Sequence, residues 1–274
     1  MVESKKYRIP AADWLAAAQV RRSCRRFDTK TVEPEKLAAM AELCDLFRPW
    51  SGARVALVEK PAKEIFRGFV GSYGKITGAP SVLLFIADTT NDGSLMAAGH
   101  ASEAALLEAT RLGLATCWVG GSFRSGAAAS LVELGETERV VGVSPLGYPA
   151  LRVVAGGSAK PTIPRKRKEL SAIAAGWEEW PDWARAGVTC ARIAPSAFNR
   201  QPWRFSRAAD GAIAVAMDAD RLHAGLSKRI DVGIAMLHFE VAALAMGARG
   251  VWGPGVGKAL ARFELGGTQT TGEG

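Results

Sequence analysis

Three short segments gather the side chains suited to holding a charged, planar ligand. The first runs Arg21, Arg22, Ser23, Cys24, Arg25, Arg26, Phe27. Arginine forks bind a phosphate dianion bidentately, and Ser23 adds a hydroxyl. The second, residues 112–121, ends Thr116, Cys117, Trp118, Val119, Gly120, Gly121. Gly120 and Gly121 lack Cβ atoms, so their backbone N–H groups are open to close approach by a flat ring. The third runs Pro195, Ser196, Ala197, Phe198, Asn199, Arg200, Gln201, Pro202, Trp203. The amides of Asn199 and Gln201 each pair a donor with an acceptor, which suits the pyrimidine edge of an isoalloxazine ring. Together the three segments have the parts to hold a flavin nucleotide. Each also has a plainer use: a Gly-Gly turn, a capped turn leading into a strand at 203–206, and Trp118 as a core aromatic.

The elements that must position these residues follow from periodicity and punctuation. Residues 13–20 read as a helix, and Pro34 with Glu35 opens a second that runs to about Leu46. Strands are expected at 54–58, 81–87 and 139–143, with a long apolar helix at about 95–112 that stops at Gly113. The Gly-, Ser- and Pro-rich stretch 155–164 is the expected linker, so residues 1–164 form one half and 165–274 the other. The second half repeats the pattern with a Trp-rich helical opening, a strand at 212–217, an apolar helix at about 232–246 and a last strand near 262–265.

The halves also share landmarks. Gly99, Gly113 and Trp118 are spaced as Gly233, Gly247 and Trp252 are, and Cys44 and Pro49 are spaced as Cys190 and Pro195 are. The offset is 134 residues for the first set and 146 for the second, which places an insertion of about a dozen residues in the first half, for instance around 66–76. The expectation is an α+β fold in which two degenerate copies of one unit pack as a pseudo-dimer within one chain, a single intertwined globule.

Composition narrows the function classes. With 48% hydrophobic residues, the 274-residue chain can bury a substantial core. The first ten residues carry Lys5, Lys6 and Arg8 without an apolar run, and no stretch approaches the roughly 20 apolar residues of a membrane span, so a cytoplasmic protein without membrane contact is expected. Cys24, Cys44, Cys117 and Cys190 form no CxxC pair, and with only His100, His223 and His238 available neither zinc nor a disulfide framework is suggested. The cysteines read as small packing residues, and the histidines as structural or surface residues. The formal charge of +8 is concentrated at 21–26 and 165–168. Such clusters attract the phosphate of a cofactor, a lipid or a nucleic acid, or are simply solvated faces. Nucleic acid ranks low, because the tryptophans do not interleave with the clusters as stacking platforms would.

In this order and with these neighbours, the motifs resemble the FMN-dependent nitroreductases. The resemblance rests on Arg-Arg-Ser-x-Arg from Arg21, Gly-Leu-x-Thr-Cys-Trp-x-Gly-Gly from Gly113, Leu-Gly-Tyr-Pro from Leu146 and Pro-Ser-x-x-Asn-x-Gln-Pro-Trp from Pro195. It covers most of residues 10–252, and Ala115 stands where the family often has glycine. It implies that Arg21, Arg22 and Ser23 hold the FMN phosphate and ribityl chain, and that Arg25 lies near flavin N1 and O2. It implies further that Gly120 and Gly121 offer N–H groups to N5 with Trp118 packed alongside, and that Arg165 and Arg167 close on the phosphate. Pro195, Ser196, Asn199 and Gln201 would bring the second half to the ring. The family's usual place for the Pro-Ser motif instead holds Arg48, Pro49, Trp50, Ser51 and Gly52, and the second half lacks the arginine motif. The resemblance therefore implies one FMN per chain, gripped by both halves of a monomer. It also implies NADH or NADPH as donor and a small flat acceptor such as a nitroaromatic or a quinone. A flavin-storage protein without turnover is the alternative.

Overall fold

The two central helices owe their ends to residue chemistry at each terminus. In the computed structural model, which describes residues 7–50, 52–60, 64–66, 75–150, 166–218 and 226–266, helix α3 (Asp92–Arg111) begins where the Asn91 side chain accepts a hydrogen bond from the Gly93 N–H. It ends where Gly113 takes a left-handed φ of 77°, letting Gly113 N–H donate to Thr110 and Leu114 N–H to Ala109. Helix α7 (Lys228–Ala245) repeats both devices: Ser227 accepts from Arg229 N–H, and Gly247, at φ 84°, closes the end through Leu244 and Ala243. These paired bonds satisfy the last carbonyls of each helix, and only glycine adopts the required φ without penalty.

Two antiparallel sheets flank this pair. Strands β1 (Ala53–Val58), β2 (Ser81–Asp88), β3 (Ala115–Thr116) and β4 (Glu138–Gly147) lie in the order β1-β2-β4-β3. Strands β5 (Trp203–Arg207), β6 (Ile213–Met217), β7 (Gly250–Pro254) and β8 (Ala261–Leu265) lie in the order β5-β6-β8-β7. The two orders are the same once each strand of the first sheet is matched to its successor by rank in the second. The link between the first two strands is longer in the first sheet, residues 59–80 against 208–212, which is where the extra residues fall. The expected half boundary at 164/165 and most of the stretch 66–76 lie outside the described residues.

The sheets meet through α3 and α7. A Cβ on Gly99 would stand 2.1 Å from the carbonyl oxygen of Ile230, and one on Gly233 would stand 2.0 Å from that of Met96. Each contact becomes the other when 134 is added to the α3 residue and subtracted from the α7 residue, so the helices cross about a local pseudo-two-fold axis. Helix α1 (Ala11–Val20) crosses from the first half to pack on both α7 and α3, while α2 (Pro34–Leu46) covers α3 and β1 and α6 (Asp182–Ile193) covers α7. Short helices α4 (Ser125–Ala129) and α5 (Leu170–Ile173) complete the order. Strand β2 is buried on both faces along Ser81 to Ala87, as its unbroken apolar run requires. No helix among the described residues is long and apolar enough to cross a membrane.

Candidate functional site

Where α1 stops, the arginine segment turns extended. Arg21, at φ −53° and ψ 131°, closes the helix by donating its N–H to Ala17. Ser23 then forms a parallel bridge with Thr116, and Cys24 N–H donates to the Thr116 carbonyl at 2.8 Å. The arginine motif and the Thr116–Gly121 segment are thus neighbours in space. Arg21 has a side chain only 10% exposed; its Nε lies 3.6 Å from Glu103 Oε1, and its Nη1 is buried without a partner. Arg22 is exposed and donates to the carbonyls of Gln19 and Arg21 at the C-terminal end of α1. It answers the unpaired carbonyls and negative pole of that helix end. Ser23 and Arg25 are half-buried along the bridged segment.

Val119 pairs with Val143 of β4, which presents Gly120 and Gly121 just beyond the sheet. The neighbour that a Cβ would meet there is the Leu226 side chain, at 3.2 Å from Gly120 and 3.4 Å from Gly121. Trp118 turns inward: its ring centroid is 4.5 Å from that of Phe85, and its Nε1–H donates to Glu103 Oε2 at 2.5 Å.

The Pro195–Trp203 segment leaves α6 as a tight turn with three non-glycine residues at positive φ: Phe198 at 52°, Asn199 at 57° and Gln201 at 48°. Such conformations cost on the order of 1–3 kcal/mol each and persist only where surrounding bonds hold them. Here Ser196 Oγ accepts from Gln201 N–H at 3.0 Å and Asp231 Oδ1 accepts from Ala197 N–H at 3.0 Å. Asn199 Nδ2 donates to the Lys166 carbonyl at 2.7 Å, and Gln201 Oε1 accepts from Lys168 N–H at 2.8 Å. Arg167 donates to the carbonyls of Ile193 and Ala194 and to Asn199 Oδ1. Both amides and Arg167 therefore bind the turn to residues 166–168 and to the end of α6. Pro195 sits in the turn's buried entry, and Arg165 lies outside the described residues.

Contact between this turn and the first half runs through residues the sequence did not single out. Arg200 Nε donates to Asp231 Oδ2 at 2.6 Å and its Nη1 to the Leu226 carbonyl at 3.1 Å, and the Leu226 side chain covers Gly120 and Gly121. Burial pushes the Asp231 carboxyl up to about 6, against the opposing charge of Arg200.

Beneath the arginine segment lies a buried polar cluster. Glu103, fully buried on α3, accepts from Trp118 and faces His238 Nε2 at 3.0 Å, while His238 Nδ1 lies 3.7 Å from Cys190 Sγ. Burial would raise the Glu103 carboxyl, but the His238 hydrogen bond, the Arg21 charge and Trp118 outweigh it and hold it low. Burial pushes His238 down, but its contacts with Cys190 and Glu103 win and raise it to about 9. A second pair, His100 Nε2 to Glu240 Oε2 at 2.7 Å, also spans α3 and α7, with His100 stacked on Phe47. His100 and His238 are therefore buried hydrogen-bonding partners of carboxylates across the halves, where a looser structural or surface role was expected; His223 lies outside the described residues. The visible signal was an acid in each apolar helix, Glu103 and Glu240. All four cysteines are free, and among the described residues no cluster of metal-ligating side chains occurs. A cleft of about 900 Å³ lined by Arg8, Asp13, Leu244 and Arg249 lies apart from the three motifs.

Residues 13–243 match the model of the family described as "Putative TM nitroreductase". The chain belongs to this family. The crystal structure of a putative nitroreductase from Thermotoga maritima superposes with a TM-score of 0.63 at 19% identity, covering 97% of this chain and 99% of that one. That likeness of fold spans both sheets. A nitroreductase with bound FMN from Bacteroides fragilis matches at 20% identity with a TM-score of 0.41, over 57% of this chain and 98% of that one. One from Desulfitobacterium hafniense, also with bound FMN, matches at 21% identity with a TM-score of 0.43 over the same shares. No curated protein matches significantly. Within the nitroreductase family fold, the three motif segments of this chain fall into two groups: the arginine segment joined to Thr116–Gly121, and the Pro195–Trp203 turn, which approaches them through Arg200 and Leu226.

Proposed function

We propose that the chain binds one FMN where the arginine segment, Gly120–Gly121 and the Pro195–Trp203 turn approach each other, and that it is an oxidoreductase drawing electrons from NADH or NADPH. The observation that carries this reading is Arg21 Nη1: a cationic nitrogen, buried and without a partner, in the segment bridged to Thr116. A buried donor left unpaired costs about 1–3 kcal/mol, more when charged, so an arrangement that keeps one fits an anionic ligand. Family membership supports the same reading.

Arg21 and Ser23 would hold the phosphate and ribityl side, Arg25 the N1 and O2 edge of the ring, and the backbone N–H groups of Gly120 and Gly121 its N5, with Leu226 as the side chain that yields. The amides of Asn199 and Gln201 already have partners, so their part is to hold the strained turn. Trp118 likewise acts through Glu103, and Arg22 through the end of α1. Bound FMN supplies two-electron transfer from reduced nicotinamide to a small flat acceptor such as a nitroaromatic or a quinone, and the protein positions and tunes. One chain carries both halves of the site, so a monomer suffices, with residues 1–164 and 165–274 contributing one half each.

The test is to purify the chain, identify and count released flavin, and follow anaerobic reduction by NADH and NADPH. About one FMN per chain, reduced by either donor and reoxidised by a quinone or nitroaromatic faster than free FMN allows, is the expected result. Two per chain would contradict the single site. Bound flavin without turnover would leave a storage protein, and no flavin after reconstitution would end the reading.

A further inference from the structure

Three elements converge on one carboxylate. Glu103 has no exposed surface, and its oxygens meet Trp118 Nε1 at 2.5 Å, His238 Nε2 at 3.0 Å and Arg21 Nε at 3.6 Å. These partners come from the segment after β3, from α7 in the second half and from the end of α1. His238 is in turn braced at its other ring nitrogen, Nδ1 lying 3.7 Å from Cys190 Sγ. The Nη1 of Arg21, beside this cluster, is buried without a partner. A buried donor left unpaired costs about 1–3 kcal/mol. An anion reaching that nitrogen completes its hydrogen bonding.

We infer that Glu103 is a positioning residue for the flavin phosphate: braced by His238 and Trp118, its carboxylate holds the Arg21 fork so that Nη1 is left for the phosphate. This rests on the flavin reading above. A guanidinium is planar and presents its donors in a fixed fork, so engaging Nε on one side sets the direction of the remaining donors. Glu103 and Arg21 lie on elements of the first half, while His238 belongs to the second. The second half thus contributes to phosphate binding from beneath, without touching the ligand.

The test compares FMN with riboflavin, which differ by the phosphate alone, by flavin fluorescence titration of the apoprotein. Wild type is expected to prefer FMN by roughly a hundredfold. Glu103→Gln retains the shape and an acceptor for Trp118, and is expected to weaken FMN about tenfold while riboflavin stays within about twofold. A general loss of structure would weaken both ligands alike, so an equal loss, or an unchanged or increased preference for FMN, overturns the inference while leaving the flavin reading intact. A wild type that binds no flavin overturns both, whereas one that binds FMN and riboflavin equally overturns the inference alone. A second readout needs no variant in the ligand-bound sample: the His238 side-chain nitrogen resonances, assigned against His238→Gln, should shift on adding FMN and not on adding riboflavin. The same shift with both ligands, or with neither, overturns the inference.

Discussion

Gly99 lies against the carbonyl of Ile230 so closely that a Cβ would stand 2.1 Å from its oxygen. The opposed atom is backbone, so relief requires the two helices to move apart, and with them the two sheets. Gly99→Ala is expected to cost about 3 kcal/mol by urea denaturation, and Gly233→Ala, facing Met96 at 2.0 Å, a similar amount. Gly126 lies in α4 with nothing within 4 Å of its built Cβ, so Gly126→Ala should be neutral or stabilising by up to about 1 kcal/mol.

Stability should fall as the medium becomes alkaline. The contacts with Cys190 and Glu103 raise the His238 imidazole to about 9 in the folded chain, from an ordinary value of about 6.5. Below pH 6.5 both states hold the proton and its pairing with Glu103 contributes fully; between 6.5 and 9 only the folded state retains it, and through 9 the contribution is lost. The change is on the order of 3 kcal/mol. Denaturation midpoints of the wild type across this window should decline, and His238→Gln should remove most of the slope.

The two leading arginines should behave differently. Arg21→Ala removes the buried fork and should weaken FMN binding at least about a hundredfold. Arg22→Ala removes an exposed side chain bonded to carbonyls of α1, and should leave FMN affinity within about threefold while lowering stability by about 0.5 kcal/mol. Equal losses of FMN affinity in the two variants would contradict this assignment.

Asn199 combines two requirements that substitutions can separate. Its φ of 57° favours glycine or asparagine, and its amide binds Lys166 and Arg167. Asn199→Gly keeps the conformation and loses the bonds, whereas Asn199→Ala loses both. The alanine variant should be the less stable by about 1–2 kcal/mol in thermal unfolding, with the region around 166–168 becoming more open to proteolysis in both.

Local chemistry was legible in the chain itself. Gly113 and Gly247 end their helices because the φ they need is a property of the residue, and the apolar run at 81–87 is a strand buried on both faces. Strand β7 escaped notice because glycine and proline bound it, and α7 begins at Lys228, ahead of the expected apolar start, because Ser227 caps a polar first turn. The repeated glycine spacing was visible too, yet its reason was not: Gly99 and Gly233 are set by how closely the carbonyls of Ile230 and Met96 approach, a matter of helix crossing. That crossing also decides that Glu103 meets His238 across 135 residues of chain. Residue type and spacing mark Asn199, Gln201 and Trp118 as polar partners for something. Which donor meets which acceptor is settled only when the chain within each half folds back to bring Lys166, Lys168 and Glu103 within hydrogen-bonding reach, because hydrogen bonds depend on distance in space and the sequence records only distance along the chain.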